Sequence, residues 1–132
     1  MSVKSRTGEA TLRLCPPKAT VGFPAVLARA RMIELMELAA ARLMKPHLSD
    51  AETSVSMEMK VTHVASTTVG GTLRAVATYA GVAGRLHRFR INVFDESGLI
   101  GSAEHTRAVT TERRLLAKRR RRADPADSLS LV

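Results

Sequence analysis

Apolar residues recur at helical spacing between Pro24 and Met44, in the run PAVLARARMIELMELAAARLM. Six of them form one face and three more widen it: Ala28, Met32, Leu35, Met36, Ala39 and Leu43, then Ile33, Ala40 and Met44. Polar residues occupy only a narrow sector. A helix that is apolar around most of its circumference is usually buried. The pattern therefore predicts one long central helix, which Pro46 ends.

The remaining runs have the alternation and the turn residues that are typical of strands. A short edge strand is predicted from Gly8 to Cys15, before Pro16 and Pro17. Four longer strands are predicted at residues 53–66, 72–81, 85–95 and 99–113. Long strands that follow one another favour an antiparallel meander. The predicted fold class is α+β, with a curved antiparallel sheet wrapped around the central helix.

The run at residues 53–66 also predicts which side chains share a face. Strict alternation places six of them together: Val55, Met57, Met59, Val61, His63 and Ala65. The opposite face is mostly polar and carries Ser54, Ser56, Glu58, Lys60 and Thr62. His63 is thus expected on the apolar face, just before the turn TTVGG, which contains Gly70 and Gly71.

Two features of composition bear on the protein's setting. The chain has 132 residues and one cysteine, Cys15, so no intrachain disulfide forms. The first twenty residues lack a signal-peptide core and no segment has the length of a membrane span, so a cytoplasmic protein without a membrane partner is expected.

The positive charge is concentrated near the end of the chain. Net charge is +9, and seven of the 21 basic residues fall within ERRLLAKRRRR at residues 112–122. We interpret this run as a solvated helix end, and we predict a single domain at residues 1–117 and a basic, disordered tail at 118–132. An alternative hypothesis, the weakest of the three considered for this protein, is that the basic tail binds nucleic acid. A single Tyr and three Phe offer no stacking platform, which argues against it.

Glu37 and His63 carry the candidate chemistry. Glu37 falls among the apolar residues of the helix. A carboxylate in such surroundings is either paired structurally or used for its perturbed proton affinity. The structural alternatives are an ion pair of Glu37 with an arginine such as Arg107 or Arg29, and a core His63 bonded to a backbone carbonyl. His47, His87 and His105 show no metal-ligand spacing, so no metal is expected.

Three segments together resemble the hotdog-fold thioesterases related to fluoroacetyl-CoA thioesterase. They are FPAVLARARMIELMELAA on the helix, VTHVASTTVGG at the strand-to-turn junction and GLIGSAEHTRAV on the last strand, and the resemblance extends over roughly residues 8–117. The resemblance implies a homodimer with active sites between subunits and hydrolysis of an acyl-CoA thioester. Coenzyme A is then part of the substrate, and no separate cofactor is expected.

The resemblance also assigns roles to residues. It places the catalytic carboxylate at Glu37, the catalytic histidine at His63, and an arginine that serves the acyl pocket at Arg107. Backbone N–H groups at a glycine turn, here Gly70 and Gly71, are candidates for holding the developing oxyanion.

One family feature is missing from this chain. The family has a Ser or Thr hydroxyl near the helix start, and the aligned residue here is Arg29. No Ser or Thr occurs between Val21 and Leu48. Two hypotheses follow: a thioesterase that uses Glu37 and His63, or a non-catalytic dimer that binds acyl-CoA or another small ligand because Arg29 occupies the hydroxyl's place.

Overall fold

The computed structural model describes residues 6–13, 24–65 and 71–122, with the backbone alone for residues 24–28. Five strands and two α-helices lie in this part of the chain: β1 (Thr7–Arg13), α1 (Pro24–Met44), β2 (Glu52–His63), β3 (Thr72–Ala83), β4 (Leu86–Asp95), β5 (Gly98–Thr111) and α2 (Glu112–Arg122). A 3-10 turn at Lys45–His47 follows α1. The predicted α+β class is confirmed.

The strands form one antiparallel sheet in the order β1-β3-β4-β5-β2. β3, β4 and β5 make the expected meander, and β1 is an edge strand as predicted. The prediction is wrong for β2, which pairs with β5 at the far edge and leaves β3 to pair with β1 and β4. The chain between β2 and β3 therefore crosses over two strands instead of making a hairpin.

Helix α1 lies against the inner face of this sheet and supplies much of the core. Its buried side chains are Met32, Leu35, Met36, Ala39, Ala40, Leu43 and Met44. They pack on inward residues of the central strands, among them Leu73, Phe89, Ile91 and Val93. The predicted apolar face is thereby confirmed with two exceptions: Ile33 is half-buried and not part of the core, and the side chain of Ala28 lies outside the described residues.

Two glycines permit close approach between helix and sheet. A Cβ at Gly8 would come within 2.7 Å of Leu43 Cβ, and one at Gly101 within 2.6 Å of Met32 Sδ. Real Cβ atoms essentially never approach other atoms so closely. The contact at Gly8 depends on glycine because the Ala39 backbone oxygen would also lie only 2.8 Å away, whereas a Cβ at Gly101 would displace the end of the Met32 side chain. Gly101 lets Met32 lie directly on the strand beside His63, its partner in the β2–β5 pairing.

Helix α2 follows β5 without a loop and projects from the sheet. It has no buried residue, and four arginines form its last turn. The interpretation of this run as a solvated helix end is confirmed. The helix continues past residue 117, so it crosses the predicted domain boundary; residues 123–132 of the predicted tail lie outside the described residues. None of the helices in the described part is both long and apolar enough to cross a membrane.

Candidate functional site

A β-bulge in β2 decides which of its side chains face the helix. The pairing with β5 shifts between Ser56, opposite Arg107, and Glu58, opposite Thr106, which leaves Met57 as the extra residue. Met59, Val61 and His63 lie opposite the inward residues His105, Ala103 and Gly101. Val55 and Met57 were predicted on the same face as Met59, Val61 and His63. That prediction is wrong, because the extra residue reverses the alternation on the N-terminal side of the bulge.

The same bulge turns Ser54 and Ser56 toward the inner face, where the sequence pattern did not place them. Ser54 lies opposite Val109, a residue packed against the core. From there Ser54 contacts Arg107: Nε donates to Ser54 Oγ at 3.0 Å and Nη2 donates to the Ser54 carbonyl at 2.9 Å. Ser54 is thus a site residue that alternation alone assigns to the wrong face.

Arg107 and His105 form a buried polar pair on β5. Arg107 is 6% exposed and His105 is 1% exposed, whereas Glu104, on the opposite face of β5, is exposed. Arg107 Nη1 lies 3.2 Å from His105 Nε2, and His105 Nδ1 lies 2.8 Å from the Glu58 carbonyl oxygen. A carbonyl only accepts and a guanidinium only donates. His105 is therefore a neutral ring with its proton on Nδ1.

The electrostatics agree with that protonation state. Burial is the largest effect and lowers the pKa of His105. The hydrogen bond to the Glu58 carbonyl raises it in part, the Arg107 charge lowers it again, and Glu37 has the smallest, raising effect. Burial also lowers the pKa of Arg107, while the Glu37 carboxylate raises it. Arg107 is thus a buried cation, and the negative charge of Glu37 offsets part of the effect of burial on its pKa.

Glu37 is half-buried on the same side of the molecule. It lines a shallow depression of about 420 Å³ together with Glu34, Leu38, Ala41, Ser54, Val55, Ser56 and Arg107. Within the described ranges no arginine, lysine or histidine lies within ion-pair distance of Glu37. The structural alternative, an ion pair of Glu37 with Arg107 or Arg29, is therefore not found within one chain, and the carboxylate acts on Arg107 from a longer distance.

His63 lies at the end of β2 and contacts the helix through Arg29. Arg29 Nη2 is 3.5 Å from His63 Nδ1, and Arg29 is exposed. No backbone carbonyl accepts from the His63 ring in the part of the chain that the structure describes. The alternative of a core histidine held by a carbonyl does not apply here; that arrangement is found at His105 instead.

The structure places the predicted residues in two groups on the inner face. His63 pairs with Gly101, and Ser56 beside Glu37 pairs with Arg107. Six residues of β5 separate these two rows, which corresponds to roughly 20 Å along the strand. Glu37 and Arg107 thus form one group and His63 and Arg29 the other, and a single chain does not bring Glu37 and His63 into contact.

The glycine turn belongs to the His63 end of the sheet. Gly71 is buried and immediately precedes β3, whose residue Ala75 lies in the same row as His63 through Val93 and Gly101. Gly70 lies outside the described residues. Over residues 6–13, 24–65 and 71–122 no cluster of three metal-ligating side chains occurs.

His105 and Ser54 are the two site residues to which the sequence assigned no role. His105 and Arg107 are two residues apart on one strand, and strict alternation places such residues on the same face. No local signal in the sequence identifies the bulge that brings Ser54 to Arg107, because the run reads as a regular alternation through Met57.

Comparison with known proteins identifies close relatives. The family model described as fluoroacetyl-CoA-specific thioesterase matches residues 13–113. A fluoroacetyl-CoA thioesterase of Streptantibioticus cattleyicolor is 38% identical over 100 residues, which are 76% of this chain and 72% of the relative. A solved structure of a point mutant of the fluoroacetyl-CoA thioesterase FlK in complex with acetyl-CoA is 32% identical, with a TM-score of 0.79 and coverage of 94% of this chain and 100% of that one.

A more distant structure has the same fold. A hot-dog-like protein from Thermanaerovibrio acidaminovorans, 17% identical, gives a TM-score of 0.74 over 88% of this chain and 89% of its own. The predicted hotdog fold is confirmed by these superpositions. The match over residues 13–113 and the identity to a curated relative establish that the chain belongs to the fluoroacetyl-CoA-specific thioesterase family.

Proposed function

We propose that this protein hydrolyses a small acyl-CoA thioester, with Glu37 and His63 as the catalytic residues of a site shared by two copies of the chain. The observation that carries the proposal is the position of Glu37: a half-buried carboxylate without an ion pair among the described residues, on the inner face of a fold whose 38% identical relative is a fluoroacetyl-CoA thioesterase. Such a carboxylate is available to attack a carbonyl or to activate water.

The separation of Glu37 from His63 within one chain supports a shared site. β2 is an edge strand with no neighbour on its outer side among the described residues. Two copies that pair their β2 strands antiparallel about an axis at Lys60, with Met57 left out of the pairing as the bulge residue, place His63 of the partner subunit opposite Ser56. Because Ser56 and Glu37 line the same depression, the carboxylate and the partner's imidazole then flank one substrate.

The chemistry of the proposed step needs three functions. Glu37 activates a water molecule or attacks the thioester carbonyl itself, the carbon–sulfur bond breaks, and His63 donates a hydrogen bond to the leaving thiolate. Backbone N–H groups at Gly70 and Gly71 hold the oxyanion. Arg107 binds the acyl side of the substrate, and His105 and Ser54 position its guanidinium through the bonds described above.

Complementation between two inactive variants tests the shared site. Glu37→Gln and His63→Ala, each alone, should release almost no free thiol from short acyl-CoA esters. After unfolding and refolding of an equimolar mixture, half of the dimers are mixed and each has one intact site, so roughly a quarter of the wild-type rate should return.

The controls are each variant refolded with itself, which should stay inactive. A mixture that remains inactive while it forms mixed dimers would show that both residues act within one chain. Activity of either single variant at the wild-type level would remove that residue from the mechanism, and inactivity of the wild-type protein on the whole ester panel would contradict the hydrolase.

A second candidate function is non-catalytic binding of acyl-CoA by the same dimer. The contact of Arg29 with His63, at the family's hydroxyl position, favours it. This function predicts saturable binding of an acyl-CoA ester in calorimetry and recovery of the intact ester by chromatography after long incubation. Ester loss that depends on Glu37 would exclude it.

A further inference from the structure

The environment of Arg29 differs from that of its neighbours on α1. Arg31, two residues later, is paired with Glu34 at 3.0 Å. Arg29 instead contacts an imidazole nitrogen, and no carboxylate within the described ranges lies within ion-pair distance of it. Glu37, eight residues along the helix, is roughly 12 Å away along the helix axis. Arg29 therefore presents a cation without an anion beside His63.

The contact with His63 leaves most of the guanidinium free for a ligand. A guanidinium has five N–H donors and no acceptor, and this contact uses one of them. Because Arg29 donates, His63 Nδ1 accepts, and the neutral ring carries its proton on Nε2. The ring therefore points a proton donor away from Arg29 while the remaining guanidinium donors stay beside it.

We infer that Arg29 determines specificity for short acyl groups that end in a carboxylate, that is, for CoA monothioesters of small dicarboxylic acids. The inference rests on the proposed function, since His63 marks where the thioester lies. The planar guanidinium matches a carboxylate with two parallel hydrogen bonds. Contact with His63 limits the carboxylate to a few carbon atoms from the thioester, whereas the phosphates of CoA are a whole pantetheine arm away from it.

The reaction balances without a further reactant. The water oxygen bonds to the thioester carbon while Glu37 takes one proton from the water. The carbon–sulfur bond breaks, and the departing sulfur, which accepts a hydrogen bond from His63 Nε2–H, receives that proton. The products are the free dicarboxylic acid and the CoA thiol, and Glu37 and the neutral His63 ring end in the forms in which they began. Arg29 holds the distal carboxylate and is unchanged.

A ratio of rates tests this assignment. We compare kcat/KM for succinyl-CoA with that for its methyl ester, which has the same chain without the charge, in wild type, Arg29→Gln and Arg29→Lys. Wild type should prefer the free carboxylate by at least about tenfold, as expected for a charge-assisted bidentate contact. Arg29→Gln should bring the ratio close to one, and Arg29→Lys should keep part of it.

The ratio is the readout because a substitution of Arg29 also touches His63 and so changes both rates. Arg31→Gln is the matched control: it removes an exposed arginine of the same helix and should keep the wild-type ratio. The same pair of acyl groups on pantetheine, which lacks the nucleotide phosphates, distinguishes the sources of the anion. Retention of the preference there supports the acyl carboxylate, and its loss assigns Arg29 to a phosphate and overturns the inference.

Two further outcomes overturn the inference but not the proposed function. One is an equal kcat/KM for both esters in wild type. The other is an equal loss of kcat/KM for both esters in Arg29→Gln, which would mean that Arg29 acts on every substrate. Absence of thiol release from every ester, charged or neutral, contradicts the proposed hydrolysis as well. The failure of the inference and that of the proposed function are therefore distinguishable.

Discussion

At the scale of single residues, the most constrained chemistry is in the buried pair of His105 and Arg107. Every polar contact of the pair has a defined donor: Nδ1 of His105 donates to a carbonyl, and Arg107 donates to His105 and to Ser54. A second proton on His105 would face the guanidinium. The arrangement is therefore stable only while the imidazole is neutral.

This protonation state predicts a pH dependence of stability. The pKa of His105 is lowered from its usual value of 6.5, so above that pH its contribution is fully present. As pH falls below 6.5, the unfolded chain takes up the proton and the folded chain resists it, so the free energy of unfolding should decrease.

Urea unfolding between about pH 5.5 and 7.5 measures this slope. Burial lowers the pKa of His87 too, so both rings contribute with the same sign. His105→Gln should flatten the slope in part, and the double variant with His87→Gln should flatten it further. A slope that is unchanged in both variants would contradict the neutral assignment.

Ser54→Ala removes one acceptor of Arg107. We expect it to lower the free energy of unfolding by about 1–3 kcal/mol, because Arg107 Nε is left buried without a partner. Ser56→Ala, on the same face of the same strand but exposed, is the control and should change stability by less than about 0.5 kcal/mol. Equal effects of the two variants in urea unfolding would mean that the Ser54 hydroxyl does not support Arg107.

At the scale of elements, the bulge in β2 determines which side chains reach the site. The sequence predicted α1 from Pro24 to Met44 because its apolar periodicity is long and Pro46 follows closely. It predicted β2 but not its register, since the extra residue leaves no mark in a run that reads as a regular alternation through Met57. The candidates on α1 and β5 were therefore found, whereas Ser54 was missed.

Deletion of Met57 should show how much the bulge matters. Without the extra residue, either Ser54 loses Arg107 or His63 and Met59 turn outward, so we expect a loss of at least about 3 kcal/mol in the free energy of unfolding. Met57→Ala keeps the residue count, and because Met57 is 57% exposed it should cost little. A deletion variant as stable as Met57→Ala would show that β2 tolerates either register.

At the scale of the whole molecule, the periodicity of apolar residues predicted the class of the fold. It did not predict the order of the strands in the sheet. Pairing of β2 with β5 joins residues about fifty positions apart, and only the packing of the sheet around α1 selects it over the shorter path to β3. The division of the site between two ends of one sheet has the same origin, because it follows from the sheet order and not from any local motif.

The separation of the domain from its basic tail is also a whole-molecule prediction. Residues 118–122 of α2 are exposed, so truncation after Ala117 should leave the melting temperature within about 2 °C of that of the full chain. The truncated protein should also elute from a cation exchanger at lower salt than the full chain, since five of the seven basic residues of α2 are gone. A large fall in melting temperature would place the tail within the folded domain.

The position of β2 at the edge of the sheet has a consequence for aggregation. The proposed dimer covers this edge with the partner's β2, but in a single copy the twelve-residue strand has no neighbour on its outer side among the described residues, and such an edge is a template for the addition of other chains. The bulge at Met57 interrupts that template and increases its twist, and Glu58 and Lys60 place charges just beyond it. Loss of the bulge would therefore straighten the edge as well as shift its side chains, and we expect the Met57 deletion to form aggregates at concentrations where Met57→Ala stays dispersed.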